Sequence, residues 1–189
     1  VLKKFTNYLE LIRFKKPIGF LLLMWPCWFG LSILSIDIKF LINWFILFFF
    51  GSFVMRSAGC IINDIVDRNI DGSVRRTRHR PLASKRINMF EAIVLLFIFL
   101  FLGFIILLQF NLYSIFLGIL SIPFIVLYPF MKRITYWPQI ILGITFSWGV
   151  LIVSMQFYQS INFNFALLYI ACVFWTLGYD TIYGYQDKE

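Results

Sequence analysis

The sequence predicts an all-α protein, a polytopic transmembrane helical bundle of six spans with its N terminus on the cytoplasmic side. Three observations predict it. Hydrophobic residues make up 61% of the 189-residue chain and charged residues 14%, against roughly 25% charged in ordinary soluble domains. The apolar residues, 24 phenylalanines among them, gather in runs of about 18 or more, the length that crosses a bilayer. Finally, the basic residues crowd one side of those runs. With a mean hydropathy of +0.85, the chain carries more apolar surface than a water-soluble fold of this size can hide.

Residues 1–16, "VLKKFTNYLELIRFKK", are charged and precede the first apolar run. No small-residue cleavage site closes that run, so the first span is expected to stay in the membrane. Spans are expected at about 18–36, 41–62, 91–108, 113–130, 139–157 and 164–180, each with the length of a membrane helix. These runs are too long and continuous for barrel strands, and only helices or closed barrels satisfy their backbone in lipid. The second and sixth spans are expected to run on as helix into polar sequence. Pro123 and Pro129 are expected to bend the fourth, where neighbouring helices make a bend tolerable.

Charge sets the orientation. Lys3, Lys4, Arg13, Lys15 and Lys16 precede span one. Arg68, Arg75, Arg76, Arg78, Arg80, Lys85 and Arg86 lie between spans two and three, and Lys132 and Arg133 between spans four and five. The opposite side has only Lys39. An asymmetry of fourteen to one puts the N terminus and the ends of spans two, four and six in the cytoplasm by the positive-inside rule. It also accounts for the net charge of +8 without nucleic acid as a partner. The bilayer is the partner expected, and no protein partner is inferred. Cys27, Cys60 and Cys172 are far apart in apolar surroundings, with neither metal-ligand nor disulfide spacing, and read as buried packing residues.

Two polar clusters stand out. "NDIVDRNID", residues 63–71, ends the second span and holds three of the nine acidic residues. Asp64, Asp67 and Asp71 follow i, i+3, i+7 spacing and lie within about 60° of one another on a helix. Such a face repels itself unless something positive sits between the carboxylates. Asn63 lies near the same face, and Arg56 two turns deeper, where an arginine within a span faces a cavity or a partner. "YDTIYGYQDKE" ends the sixth span and repeats the spacing with Asp180, Tyr183 and Asp187. Both clusters emerge on the cytoplasmic side, so two acidic faces can meet at one end of a bundle. Mg²⁺ prefers a few carboxylates together with substrate phosphates, and the neighbouring arginines and lysines favour phosphate too. The inference is a Mg²⁺–diphosphate site at the membrane surface.

"NDIVDRNID" resembles the N-D-x-x-D-x-x-x-D motif of the UbiA superfamily of intramembrane aromatic prenyltransferases. The resemblance is closest to its bacterial 4-hydroxybenzoate polyprenyltransferases. It extends to "KPIGFLLLMWP" at 16–26, "MRSAGCIINDIVDRNIDGSVRRTRHRPLAS" at 55–84, "YPFMKR" at 128–133 with "PQ" at 138–139, and "YDTIYGYQD" at 179–187. The resemblance implies an isoprenoid tail in a lipid-open cavity, with its diphosphate bound through Mg²⁺ by the two aspartate motifs. It implies attack by the ring of 4-hydroxybenzoate beside its hydroxyl, giving a ubiquinone precursor. By position, Asp64, Asp67, Asp180 and Asp187 are expected to hold the metal, with Asp71 in support and Asn63 part of the first motif. Arg56, Lys132 and Arg133 are candidates to hold the diphosphate or the aromatic carboxylate, and Tyr183 to position a ligand. His79, the sole histidine, reads as a solvated or phosphate-proximal group.

The family has nine spans and about a hundred more residues, so residues 1–189 are expected to be one domain that is a fragment or a truncated gene product, doubtful in activity alone. Lacking an Arg- and Ser-rich leader, the chain is expected in a bacterial inner membrane. Two rival readings share the features above: a sister prenyltransferase of the menaquinone, haem O or archaeal lipid pathways, and an ion-coupled transporter. Transporter carboxylates usually lie near the bilayer midplane, unlike these. The spacing before Gly72 does not fit a CDP-alcohol phosphotransferase.

Overall fold

A computed structural model describes residues 2–185, with the side chains of residues 2, 3, 132 and 133 left aside. The described residues form eight helices: α1 Leu2–Leu11, α2 Ile18–Ser32, α3 Ile38–Asp71, α4 Met89–Leu107, α5 Leu112–Leu120, α6 Ile122–Ile134, α7 Pro138–Tyr158 and α8 Phe163–Tyr185. No strand occurs among them. By length and composition, α3, α4, the α5–α6 unit, α7 and α8 can each cross a membrane, and α2 is a shorter apolar helix. The protein is a multi-pass, all-α membrane bundle.

Each expected run is a helix, and the differences have local causes. The fourth run breaks at Ser121, whose N–H and Oγ both bond the Gly118 carbonyl. Pro123 then sits in the first turn of α6, the position where a missing N–H does least harm. As expected, α3 continues past the apolar stretch to Asp71, and α8 to Tyr185. The charged segment before α2, read only as polar sequence, is helical over Leu2–Leu11. It packs Tyr8 and Leu11 against Ile61, Leu82 and Ile87. Side-chain caps start the helices: Asp37 for α3, Asn111 for α5, and Asn88 with Glu91 as a capping box for α4, which satisfies two orphan N–H groups reciprocally.

α7 is the centre of one half, packed on α8, α2, α5 and α6, while α3 packs on α2 and α4. The core between α2, α3, α7 and α8 contains Leu31, Val150, Val153 and Phe165. Small residues let these helices approach closely, as in membrane bundles generally. A Cβ added at Gly143 would fall 2.9 Å from the Val173 carbonyl oxygen. All three cysteines are free and buried, the packing role their sequence surroundings suggested. α4 is much less buried than α3 or α7 and presents phenylalanines such as Phe97 and Phe101 outward.

Candidate active site

The C-terminal halves of α3 and α8 bring the two acidic motifs to one end of the bundle. Below them opens a cavity of about 1620 Å³. Its upper wall includes Asn63, Asp64, Asp180 and Tyr183, and its deeper wall Arg56, Phe104, Phe146 and Trp148. Most of the lining is apolar, with polar groups gathered at the acidic end, so the chamber suits a molecule with a charged head and a hydrocarbon tail.

The first motif is neutralised from two loops. Asp64, 1% exposed, accepts through Oδ1 from Arg13 at 2.7 Å and from Arg80 at 3.2 Å. Arg80 also donates to Asp71 at 2.7 Å. A guanidinium thus stands between two carboxylates seven residues apart on one helix face, meeting the electrostatic requirement that their spacing imposed. Arg13 reaches Asp64 from a left-handed backbone conformation, φ 59°, which costs a non-glycine residue about 1 kcal/mol or more. Oδ2 of Asp64 is buried without a hydrogen-bond partner.

These arginines also fasten the 72–88 loop over the polar end. Thr77 Oγ1 donates to the Asp71 carbonyl at 3.2 Å. Arg86 grips Glu10 of α1 with both terminal nitrogens, at 2.7 and 2.9 Å, and also contacts Asn7 and the His79 carbonyl. Those hydrogen bonds hold the Glu10 carboxyl below its usual range. Thr77, His79 and Arg80 line the cavity mouth.

The site residues expected from sequence divide into three groups. Asn63, Asp64, Arg56, Asp180 and Tyr183 share the cavity wall, although Tyr183 is 60% exposed and stands at the rim. Asp67 is half-buried and lies, with Asp180 and Arg56, within electrostatic reach of the Tyr128 hydroxyl on α6, which itself lines the cavity. Asp71 does not line it, and its carboxylate holds Arg80 instead. Lys132 and Arg133 fall in the last turn of α6, with side chains outside the description, and Asp187 lies outside the described residues. Sequence reasoning missed Arg13 and Arg80 as partners of the aspartates, having counted both as topology charges. It also missed Tyr128, though "YPFMKR" contained it.

Among the described residues no group of three acidic, His or Cys side chains is arranged to hold a metal ion. Mg²⁺ commonly takes only one or two carboxylates and completes its shell with phosphate and water. The buried, unpartnered Asp64 Oδ2, with Asp67 within electrostatic reach on the same helix, fits that chemistry.

The profile of the UbiA prenyltransferase family matches residues 23–189. The chain belongs to that family. It is 47% identical over 184 residues to the mitochondrial 4-hydroxybenzoate polyprenyltransferase of Drosophila pseudoobscura pseudoobscura, covering 96% of this chain and 46% of the fly protein. It is 44% identical over 190 residues to the 4-hydroxybenzoate octaprenyltransferase of Blochmanniella pennsylvanica, covering 100% of this chain and 64% of that protein. Among solved structures, one described as concerning the biosynthesis of digeranylgeranylglyceryl phosphate synthase in membranes superposes with a TM-score of 0.72 at 28% identity. That match covers 97% of this chain and 63% of the other. The UbiA chain therefore spans about half the length of the fly relative and under two thirds of the other two.

Proposed function

We propose that the full-length protein transfers a polyprenyl group from a polyprenyl diphosphate to the ring of 4-hydroxybenzoate, with Mg²⁺ as cofactor, as a step toward ubiquinone. One observation carries the reading. A large, mostly apolar chamber has Asn63 and Asp64 of α3 and Asp180 of α8 in its wall, with Arg56 deeper on α3. The relatives named above support the choice of acceptor.

In this reading the prenyl tail lies along the apolar wall and its diphosphate at the polar mouth. Arg76 and Arg80 line that mouth and supply the planar donors that phosphate favours. Lys132 and Arg133, in the last turn of α6, are proposed to assist in holding the diphosphate or the acceptor carboxylate. Asp64 through Oδ2 and Asp67 on α3, and Asp180 on α8, would hold Mg²⁺ only together with the diphosphate between them, with Asp187 completing the second motif and Asp71 supporting through Arg80. When bound, the ion would neutralise diphosphate charge and make it a better leaving group. Arg56 lies about 12 Å below Asp64 by the helix rise, too deep to share the diphosphate end fully. Its fork suits the carboxylate of the aromatic acceptor. Gripped there, the ring presents the carbon beside its hydroxyl to the allylic carbon. A carbon–carbon bond forms, the carbon–oxygen bond to diphosphate breaks, and the ring carbon loses one proton. The apolar walls keep water from taking the prenyl group instead.

In this proposal the mouth faces the cytoplasm from a bacterial inner membrane, with six spans in this chain, and the fourteen-to-one basic asymmetry supports the choice of side. The test is product formation by full-length protein in vesicles. Prenylated hydroxybenzoate and diphosphate should appear in equal amounts and only with both substrates. Preference for a dihydroxynaphthoate or a glycerol phosphate acceptor would move the protein to a sister activity, and no diphosphate at all would support a transporter.

A further inference from the structure

Arg56 is held in an unusual way. Its guanidinium carbon lies 5.4 Å from the centroid of the Phe146 ring on α7. On the other side it meets Gly19, in the second position of α2. A Cβ built on Gly19 would fall 2.7 Å from Nε and 3.0 Å from Nη2, but 3.3 Å from the guanidinium carbon. The two nitrogens are nearer than the carbon, so the group meets α2 edge-on. Nε is buried there without a hydrogen-bond partner. A guanidinium has two edges able to grip a planar anion. The α2 backbone covers the Nε–Nη2 edge, which leaves the Nη1–Nη2 edge for a ligand in the cavity that Arg56 lines.

We propose that Gly19 is a positioning residue: its missing side chain is the seat of the Arg56 guanidinium, and it sets which edge of that group faces the acceptor carboxylate. This rests on the reading above, that Arg56 holds that carboxylate. Helix formation does not ask for glycine here, because Gly19 has no left-handed backbone conformation and alanine favours a helix more. The three nearest atoms that a Cβ at Gly19 would meet all belong to the Arg56 guanidinium, at 2.7–3.3 Å. Those atoms end a flexible side chain, so Gly19→Ala is expected to move Arg56 and leave the helices in place.

The experiment is a double-mutant cycle in full-length protein in membrane vesicles, with Gly19→Ala, Arg56→Lys and both. Gly19→Ala alone should raise KM for 4-hydroxybenzoate about tenfold, with KM for the polyprenyl diphosphate and kcat changed less than about twofold. Lysine ends in a compact ammonium and lacks the planar group that the added methyl would strike. In the Arg56→Lys background, Gly19→Ala should therefore add less than about twofold. If Arg56→Lys raises the acceptor KM but Gly19→Ala does not, the positioning role is overturned and the reading of Arg56 stands. An equal effect of Gly19→Ala in both backgrounds overturns it too, because the effect then bypasses the guanidinium. If Arg56→Lys changes neither KM, the reading of Arg56 falls and the proposal with it. Should Gly19→Ala fail to insert, the double variant decides: restored insertion supports the clash with Arg56, and continued failure overturns it.

Discussion

Arg80→Met tests the electrostatic clamp at the polar end. Arg80 is the cation shared by Asp64 and Asp71, at 3.2 and 2.7 Å. Breaking a fully buried ion pair by removing one partner costs about 3–5 kcal/mol. Two facts reduce that figure here. The Arg80 side chain is 23% exposed, and Asp64 keeps Arg13 at 2.7 Å. Only Asp71 is left stranded, with a side chain 8% exposed, and an unsatisfied buried group of this kind costs about 1–3 kcal/mol. A loss of about 2 kcal/mol lowers the apparent Tm of a chain this size by roughly 4–8 °C. The assay is thermal unfolding of the detergent-solubilised protein, with trypsin cleavage of the 72–88 loop as a second readout. Asp71→Asn in the Arg80→Met background should add little, since it removes the charge that had been stranded, and the cycle should show coupling of about 1 kcal/mol. Arg78→Met is the control, because the Arg78 side chain is exposed and bonds its neighbour His79 rather than the acidic motif among the described residues. An Arg80→Met protein that melts within about 1 °C of the parent, far inside the expected shift, or a cycle that is strictly additive, refutes the clamp.

Other expectations are simpler to test. Gly143→Ala should destabilise by about 1–3 kcal/mol, because its Cβ would meet the Val173 backbone at 2.9 Å. Gly59→Ala meets nothing within 4 Å and should be neutral or stabilising by up to about 1 kcal/mol, as paired melting curves would report. The Glu10 carboxyl is lowered in the fold by Arg86, so its stabilising contribution is full above the ordinary carboxylate pKa and is lost as pH falls through the lower folded value. Arg86→Met should therefore flatten the acid side of the stability–pH curve, and an unchanged curve counts against the pair. Ser84→Cys, in the exposed part of the loop, should react with an impermeant thiol reagent from the cytoplasmic side only. The three native cysteines are buried and should give little background, and labelling from outside reverses the topology.

Much of the bundle was legible because membrane helices write their length in plain hydropathy. Both polar extensions, α3 to Asp71 and α8 to Tyr185, followed from acidic residues spaced for one helix face. The break at Ser121 was foreshadowed by Pro123, although hydropathy runs through it without a mark. The cavity wall of the candidate site was legible at Arg56, Asn63, Asp64 and Asp180, where a polar group interrupts apolar sequence. It was not legible at Arg13 and Arg80. In a loop with so many basic residues, sequence spacing does not say which one folds back, and long-range pairing across 51 residues for Arg13 and Asp64 leaves no local pattern. Gly19 was equally silent, since the meaning of its missing side chain lies in Arg56, 37 positions away by their numbers.

In the proposed function the two acidic motifs act together on one diphosphate at the mouth of the cavity. The most direct measurement is prenyl transfer to radiolabelled 4-hydroxybenzoate by full-length protein in membranes, for the parent, Asp67→Ala and Asp180→Ala, across a Mg²⁺ titration. Asp67 and Asp180 belong to different helices, α3 and α8. Each variant should insert normally and lose about a hundredfold or more of the transfer rate, equivalent to roughly 2.7 kcal/mol of barrier, and chelation should abolish the parent's activity. Near-parental turnover in both variants, or transfer that survives chelation, would contradict that reading.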